Sequence, residues 1–226
     1  MKLTDQIIKN LDIRGVIFDV DGLLFDTEAM YIKAWVPVGE SMGVPITAEV
    51  ARSTVGHSAK ATEAIFQEHY GMDFTLERSI PLVRQWITDY VAAHGLEVKP
   101  GVRELTALLR TLSIPMAIGS SNIQRNVQMY LEEAKLASYF DTIVTADLVE
   151  RAKPAPDIFL KAAENLGLAP AQCLVFEDSP IGVEAAHMAG CNVIVVPDLL
   201  PPCELTHSRV LQVLPSLKEA PSLFIS

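Results

Sequence analysis

Five short, almost unbroken apolar runs recur along the chain: GVIFDV at 15–20, PMAIGS at 115–120, DTIVTA at 141–146, CLVFED at 173–178 and NVIVVP at 192–197. Strands buried on both faces read this way, because neither face can be polar. Helical patterns separate the later runs: GVRELTALLRTL, NIQRNVQMYLEEAKL, PDIFLKAAENLGL and PIGVEAAHMAG. Strand and helix in alternation, joined by short turns, predict an α/β fold with a doubly wound parallel sheet. A sixth short strand is predicted near 210–214.

The stretch between the first two runs breaks the rhythm. It holds no strand pattern but four helical ones, near 28–42, 47–54, 58–70 and 76–94, and both tryptophans, Trp35 and Trp86. A crossover needs only about 12 residues, so a helical domain is predicted at 28–95, inserted into a core made of 1–27 and 96–226. Pro37 within the first helical pattern predicts a kink or break there.

Half of the 226 residues are hydrophobic, enough for a sizeable core. The formal net charge of −10 argues against a nucleic-acid backbone or an anionic membrane as partner. A small anionic substrate remains compatible, since a local site can reverse the field. Three cysteines, Cys173, Cys191 and Cys203, form no CxxC pair. With no apolar run of about 18 residues and no apolar leader at the N-terminus, a cytoplasmic protein is expected. Nothing in the sequence fixes the oligomeric state.

In an open parallel sheet, ligands bind beyond the carboxyl ends of the strands. The residues there are Asp19 and Asp21 after the first run, Ser120, Ser121 and Asn122 after the second, Lys153 in the loop after the third, and Glu177 and Asp178 after the fourth. Each has an ordinary reading alone. The aspartates suit a turn, the serines or Glu177–Asp178 a helix cap, and Lys153 a solvated surface. Four such coincidences at one sheet edge argue for a site. GxGxxG and GxxxxGKS motifs are absent, which excludes the usual dinucleotide and P-loop sites.

The set resembles the haloacid dehalogenase superfamily of phosphotransferases over nearly the whole chain. FDVDGLLFDTE is similar to its first motif, IGSSN to the second, KPAPD to the third and VFEDSPIGVEAA to the fourth. The helical insert is similar to the small cap of the β-phosphoglucomutase-like branch. The resemblance implies a Rossmann-like core and a phosphatase acting on a small phosphorylated metabolite. It implies Mg²⁺ held by the side chains of Asp19 and Asp178 and the main-chain carbonyl of Asp21, with Glu177 one shell out. Asp19 would be the nucleophile and Asp21 the acid and base, while Ser120, Ser121 and Lys153 would bind phosphate.

His57 and Lys60, in the cap sequence TVGHSAK, are expected near the substrate. A phosphosugar mutase of this branch carries a Lys before the cap-loop glycine and an Arg three residues after it. Val55 and Ala59 stand there instead, which disfavours a mutase without excluding it. A non-catalytic metal- or phosphate-binding regulator is the remaining alternative, disfavoured by the complete set of reactive residues.

Overall fold

The computed structural model describes residues 11–57, 59–199 and 209–225. Ser58, Cys203 and His207 lie outside the described residues. Among the described residues, six strands form one sheet: β1 (Gly15–Phe18), β2 (Met116–Ser120), β3 (Thr142–Thr145), β4 (Cys173–Glu177), β5 (Asn192–Val195) and β6 (Gln212–Val213). Every neighbouring pair is parallel, in the order β3-β2-β1-β4-β5-β6. The β1, β2 and β4 residues are all buried, which explains their continuous apolar character.

The chain winds from β1 through β2 to β3 on one side, then returns to build β4, β5 and β6 on the other. The winding direction therefore reverses between β1 and β4, and a crevice opens at the carboxyl ends of that pair. Asp19 and Asp21 follow β1, and Glu177 and Asp178 stand at the end of β4.

The chain divides into two compact units, residues 1–25 with 97–226, and residues 26–96. The second contains α1 (Thr27–Ser41), α2 (Ala48–Ser53), α3 (Ala59–Tyr70) and α4 (Leu76–His94). Its core is aromatic: Trp35 meets Phe66 at 4.5 Å between ring centroids, and Phe66 meets Phe74 at 4.8 Å. Ser79, Val83, Ile87 and Val91 of α4 recur every fourth residue and are buried, as an amphipathic helix requires. The break expected at Pro37 does not occur, because α1 continues to Ser41. Proline removes one backbone donor, but Ala34, Trp35 and Val38 on either side are buried, and their packing holds the helix through it.

The core unit carries α5 (Val102–Thr111), α6 (Gln124–Glu133), α7 (Asp157–Asn165) and α8 (Pro180–Met188). Val102, Leu105, Thr106 and Leu109 make the buried face of α5. Gly101 precedes it at φ +92, and a Cβ there would lie 2.2 Å from the Lys218 backbone nitrogen. Only glycine permits both that left-handed turn and that approach. No helix among the described residues is long and apolar enough to cross a membrane.

Candidate active site

Asp19 leaves β1 immediately after the last buried strand residue, its N–H donating to the Phe176 carbonyl at 3.1 Å. Its side chain is buried, and Oδ1 accepts from Lys153 Nζ at 2.5 Å. The same ammonium donates to Glu177 Oε1 at 2.7 Å and lies 4.7 Å from the Phe159 ring centroid. Only 3% of the Lys153 side chain is exposed. Lys153 is therefore an interior cation between two acids, whatever its isolated sequence context suggests.

The β4–α8 turn explains the fourth motif. Glu177 Oε2 accepts from the N–H groups of Asp178 and Ser179, each at 2.8 Å, and from Ser179 Oγ at 3.0 Å. Ser179 in turn caps α8 by accepting from the Gly182 N–H at 3.1 Å, and Pro180 occupies the first helical position. A Cβ on Gly182 would lie 1.6 Å from Glu177 Oε1. The glycine of SPIGVEAA thus leaves space for the carboxylate that holds Lys153. Both Glu177 oxygens are engaged by protein donors, so its observed part is to position Lys153 and the turn.

Asp21 begins a tight loop closed by Gly22 N–H to the Phe25 carbonyl at 3.0 Å and Leu24 N–H to the Val20 carbonyl at 2.9 Å. Gly22 has φ +82, and a Cβ there would meet Asp178 Oδ2 at 2.4 Å and Asp198 Oδ2 at 3.2 Å. The open space at this glycine is thus taken by neighbouring carboxylates. Asp198 is itself paired with Lys99 Nζ. Asn122 Nδ2 donates to Asp21 Oδ2 at 3.1 Å. Ser120 is buried and Ser121 exposed, and Ser120 Oγ accepts from the Asn122 N–H at 3.0 Å. Asn122, Gly182, Lys99 and Asp198 have no assigned part in the sequence reading. Asn122 and Asp21 are 101 positions apart and Lys99 and Asp198 99 apart, beyond any local pattern, while Gly182 takes its meaning from the Glu177 carboxylate packed against it.

His57 and Lys60 belong to the helical unit and are both exposed. His57 Nδ1 lies 3.1 Å from the Val55 carbonyl, a local turn contact. Cys173 and Cys191 are buried free thiols. Burial pushes Cys173 up to about 11 and Cys191 to about 12, so neither is a ready nucleophile.

The electrostatics of the core site are unbalanced. Burial pushes the Asp19 carboxyl up to about 8, against the attraction of Lys153, and the nearby charges of Glu177 and Asp21 push the same way as burial. Burial opposes the charge on Lys153, but Asp19 and Glu177 outweigh it and hold the ammonium above its ordinary value. One cation does not neutralise this group of acids. Asp19, Glu177 and Asp178 each offer an oxygen within 4.8 Å of the others. Oxygen donors and excess negative charge suit a hard divalent cation.

Comparison with known proteins identifies the family. A family described as haloacid dehalogenase-like hydrolase matches residues 16–196. A phosphorylated carbohydrates phosphatase from Thermotoga maritima is 37% identical over 80% of this chain and 83% of its own length. A fructose-1-phosphate phosphatase from Escherichia coli is 30% identical, over 80% of this chain and 95% of its own. A Thermotoga maritima crystal structure, provisionally named a beta-phosphoglucomutase, superposes with a TM-score of 0.77 at 31% identity, covering 94% of this chain and 98% of that one. The strand-end acids, the interior lysine and the sheet that gathers them thus have one common explanation: the chain belongs to the haloacid dehalogenase-like hydrolases, as a phosphoric monoester hydrolase.

Proposed function

We propose that the protein is a Mg²⁺-dependent phosphatase of small sugar phosphates that works through an aspartyl-phosphate on Asp19. The observation that carries this reading is the buried Asp19 carboxylate at the end of the central strand, gripped by Lys153 at 2.5 Å with further acids around it. The names of the two phosphatase relatives support the substrate class.

Asp19 attacks phosphorus, and the bond to the leaving oxygen breaks as the new acyl-phosphate bond forms. Asp21, as the acid, gives its proton to the leaving alkoxide. In the second half, Asp21 takes a proton from water as that water attacks phosphorus. The Asp19–phosphate bond then breaks, leaving inorganic phosphate and a free carboxylate. Such proton transfers are worth about 10²–10⁴-fold. Ser120, the Ser121 backbone and Lys153 bind phosphate oxygens, with Lys153 opposing the charge that builds on them. The side chains of Asp19 and Asp178 and the carbonyl of Asp21 would hold Mg²⁺, which supplies charge neutralisation for the phosphoryl group when bound. Glu177 keeps Lys153 in place.

The direct test is phosphate release from a panel of phosphorylated sugars, glycerol phosphate, phosphoglycolate and nucleoside monophosphates. Mg²⁺ should support turnover, EDTA should remove it, and Ca²⁺ should support little because it prefers a larger, looser oxygen shell. Full turnover after exhaustive chelation would exclude the metal requirement.

A mutase is distinguished separately. With β-glucose 1-phosphate and a trace of glucose 1,6-bisphosphate, any reaction should yield free phosphate, because Val55 and Ala59 offer no charge to grip a second phosphate. Rapid accumulation of glucose 6-phosphate would assign the chain to the mutases instead and would make Lys60 the candidate second-phosphate ligand.

A further inference from the structure

We propose that Asn126 and Asn122 form an amide relay that positions Asp21 for proton transfer. The inference rests on the phosphatase reading, in which Asp21 serves as acid and then base. Asn122 is 7% exposed and Asn126 6% exposed, both unusual for an amide side chain. Asn126 stands in the first turn of α6 beside the buried Val127 and Tyr130. A buried amide on that face requires a partner.

The partner is Asn122. Its Oδ1 accepts from the Ile123 N–H at 2.9 Å and from Asn126 Nδ2 at 3.0 Å. A backbone N–H can only donate, so the atom facing it must be the amide oxygen. That fixes the orientation: the amide NH₂ group of Asn122 faces Asp21, 3.1 Å from Oδ2 and 3.4 Å from Oδ1. The backbone of Asn122 is held as well, by its own N–H donating to Ser120 Oγ at 3.0 Å.

The orientation has a chemical consequence. An NH₂ group donates to a carboxylate or to the carbonyl oxygen of a carboxylic acid, and it cannot accept the acid's proton. It can hold Asp21 in both protonation states and leave the proton for the leaving group. A reversed amide would place its oxygen against Asp21 and compete for that proton. Asn126 works one step back by donating to the oxygen that must stay turned away. Asn122 and Asn126 are thus positioning residues, and Asp21 is the catalytic one.

The test compares Asn122→Ala and Asn126→Leu with wild type, in Mg²⁺, on glycerol 3-phosphate and p-nitrophenyl phosphate. The alkoxide of the first needs a proton to leave, and p-nitrophenolate does not. For Asn122→Ala, kcat/KM on glycerol 3-phosphate should fall about 10²-fold, toward the lower limit for lost acid catalysis. On p-nitrophenyl phosphate it should change by less than about threefold. Because base catalysis of the second half is also impaired, p-nitrophenolate should appear in a burst followed by slow turnover. Asn126→Leu should show the same selectivity at roughly tenfold loss. It also keeps the buried volume, so it carries the test if Asn122→Ala does not fold. Equal losses on both esters in the folded variants, or no loss, would overturn the relay and leave the phosphatase reading intact. Wild-type protein that releases phosphate from neither ester, nor from any member of the panel, would overturn that reading and the relay together.

Discussion

Asp19→Asn is expected to abolish turnover, with kcat falling on the order of 10⁶-fold, the scale on which loss of a covalent nucleophile acts. An amide oxygen cannot form the acyl-phosphate. Stability should move the other way. Asp19 is buried with Glu177 and Asp21 close enough to repel it. An uncharged amide removes that repulsion, while its oxygen can still accept from Lys153. Lys153 also keeps its contact with Glu177 at 2.7 Å. Calorimetric melting in EDTA should therefore show an unchanged or higher transition temperature for the variant. Phosphate release within about 100-fold of wild type would rule out Asp19 as the nucleophile.

Lys153→Met should be lost on both counts. Methionine keeps an apolar stem against Phe159 but leaves Asp19 and Glu177 facing each other without the interior cation. Removing one partner from a buried ion pair costs about 3–5 kcal/mol. The cost should be measured in EDTA, so that only the protein's own charges contribute. Adding Glu177→Gln should recover part of the loss, since one of the stranded charges disappears, with a coupling of about 0.5–3 kcal/mol. Activity should not return, because the charge opposite the phosphoryl oxygens is still missing. Denaturant unfolding that places the single variant within about 1 kcal/mol of wild type would mean that Lys153 does not hold these acids in solution.

The parts of the fold that can be read locally were legible from the residues. β1 and β4 lie between other strands, so GVIF and CLVFE are apolar throughout. Their ends are also visible, because Asp19 and Asp178 begin where the strands stop. The helices of the insert follow from periodicity, as the four buried positions of α4 illustrate. Pro37 misleads because a propensity counts one lost hydrogen bond and cannot count the burial of its neighbours. Most of the candidate site residues stand out for a different reason: the strand-end position makes each a candidate before any partner is known.

The supporting contacts are not legible in this way. Asn122 meets Asp21 across 101 positions, and Lys99 meets Asp198 across 99. No period of two or 3.6 residues carries such a pairing. Gly182 is a further case. In a helical pattern it reads as a weak point, and its purpose appears only once the Glu177 carboxylate is seen to occupy the space a Cβ would need.

The loop after Asp21 also governs how the insert joins the core. Phe25 pairs antiparallel with Val98, and the Lys99 N–H donates to the Leu24 carbonyl at 2.9 Å. The outgoing and returning chains are therefore stapled together before residues 26–96 begin and after they end. Closing a loop costs entropy that grows only as the logarithm of its length. With both ends already fastened, the length and sequence of the intervening segment place little demand on the sheet. The junction is a splice point at which the insert can be lengthened, shortened or exchanged while the residues at the ends of β1, β2 and β4 stay as they are.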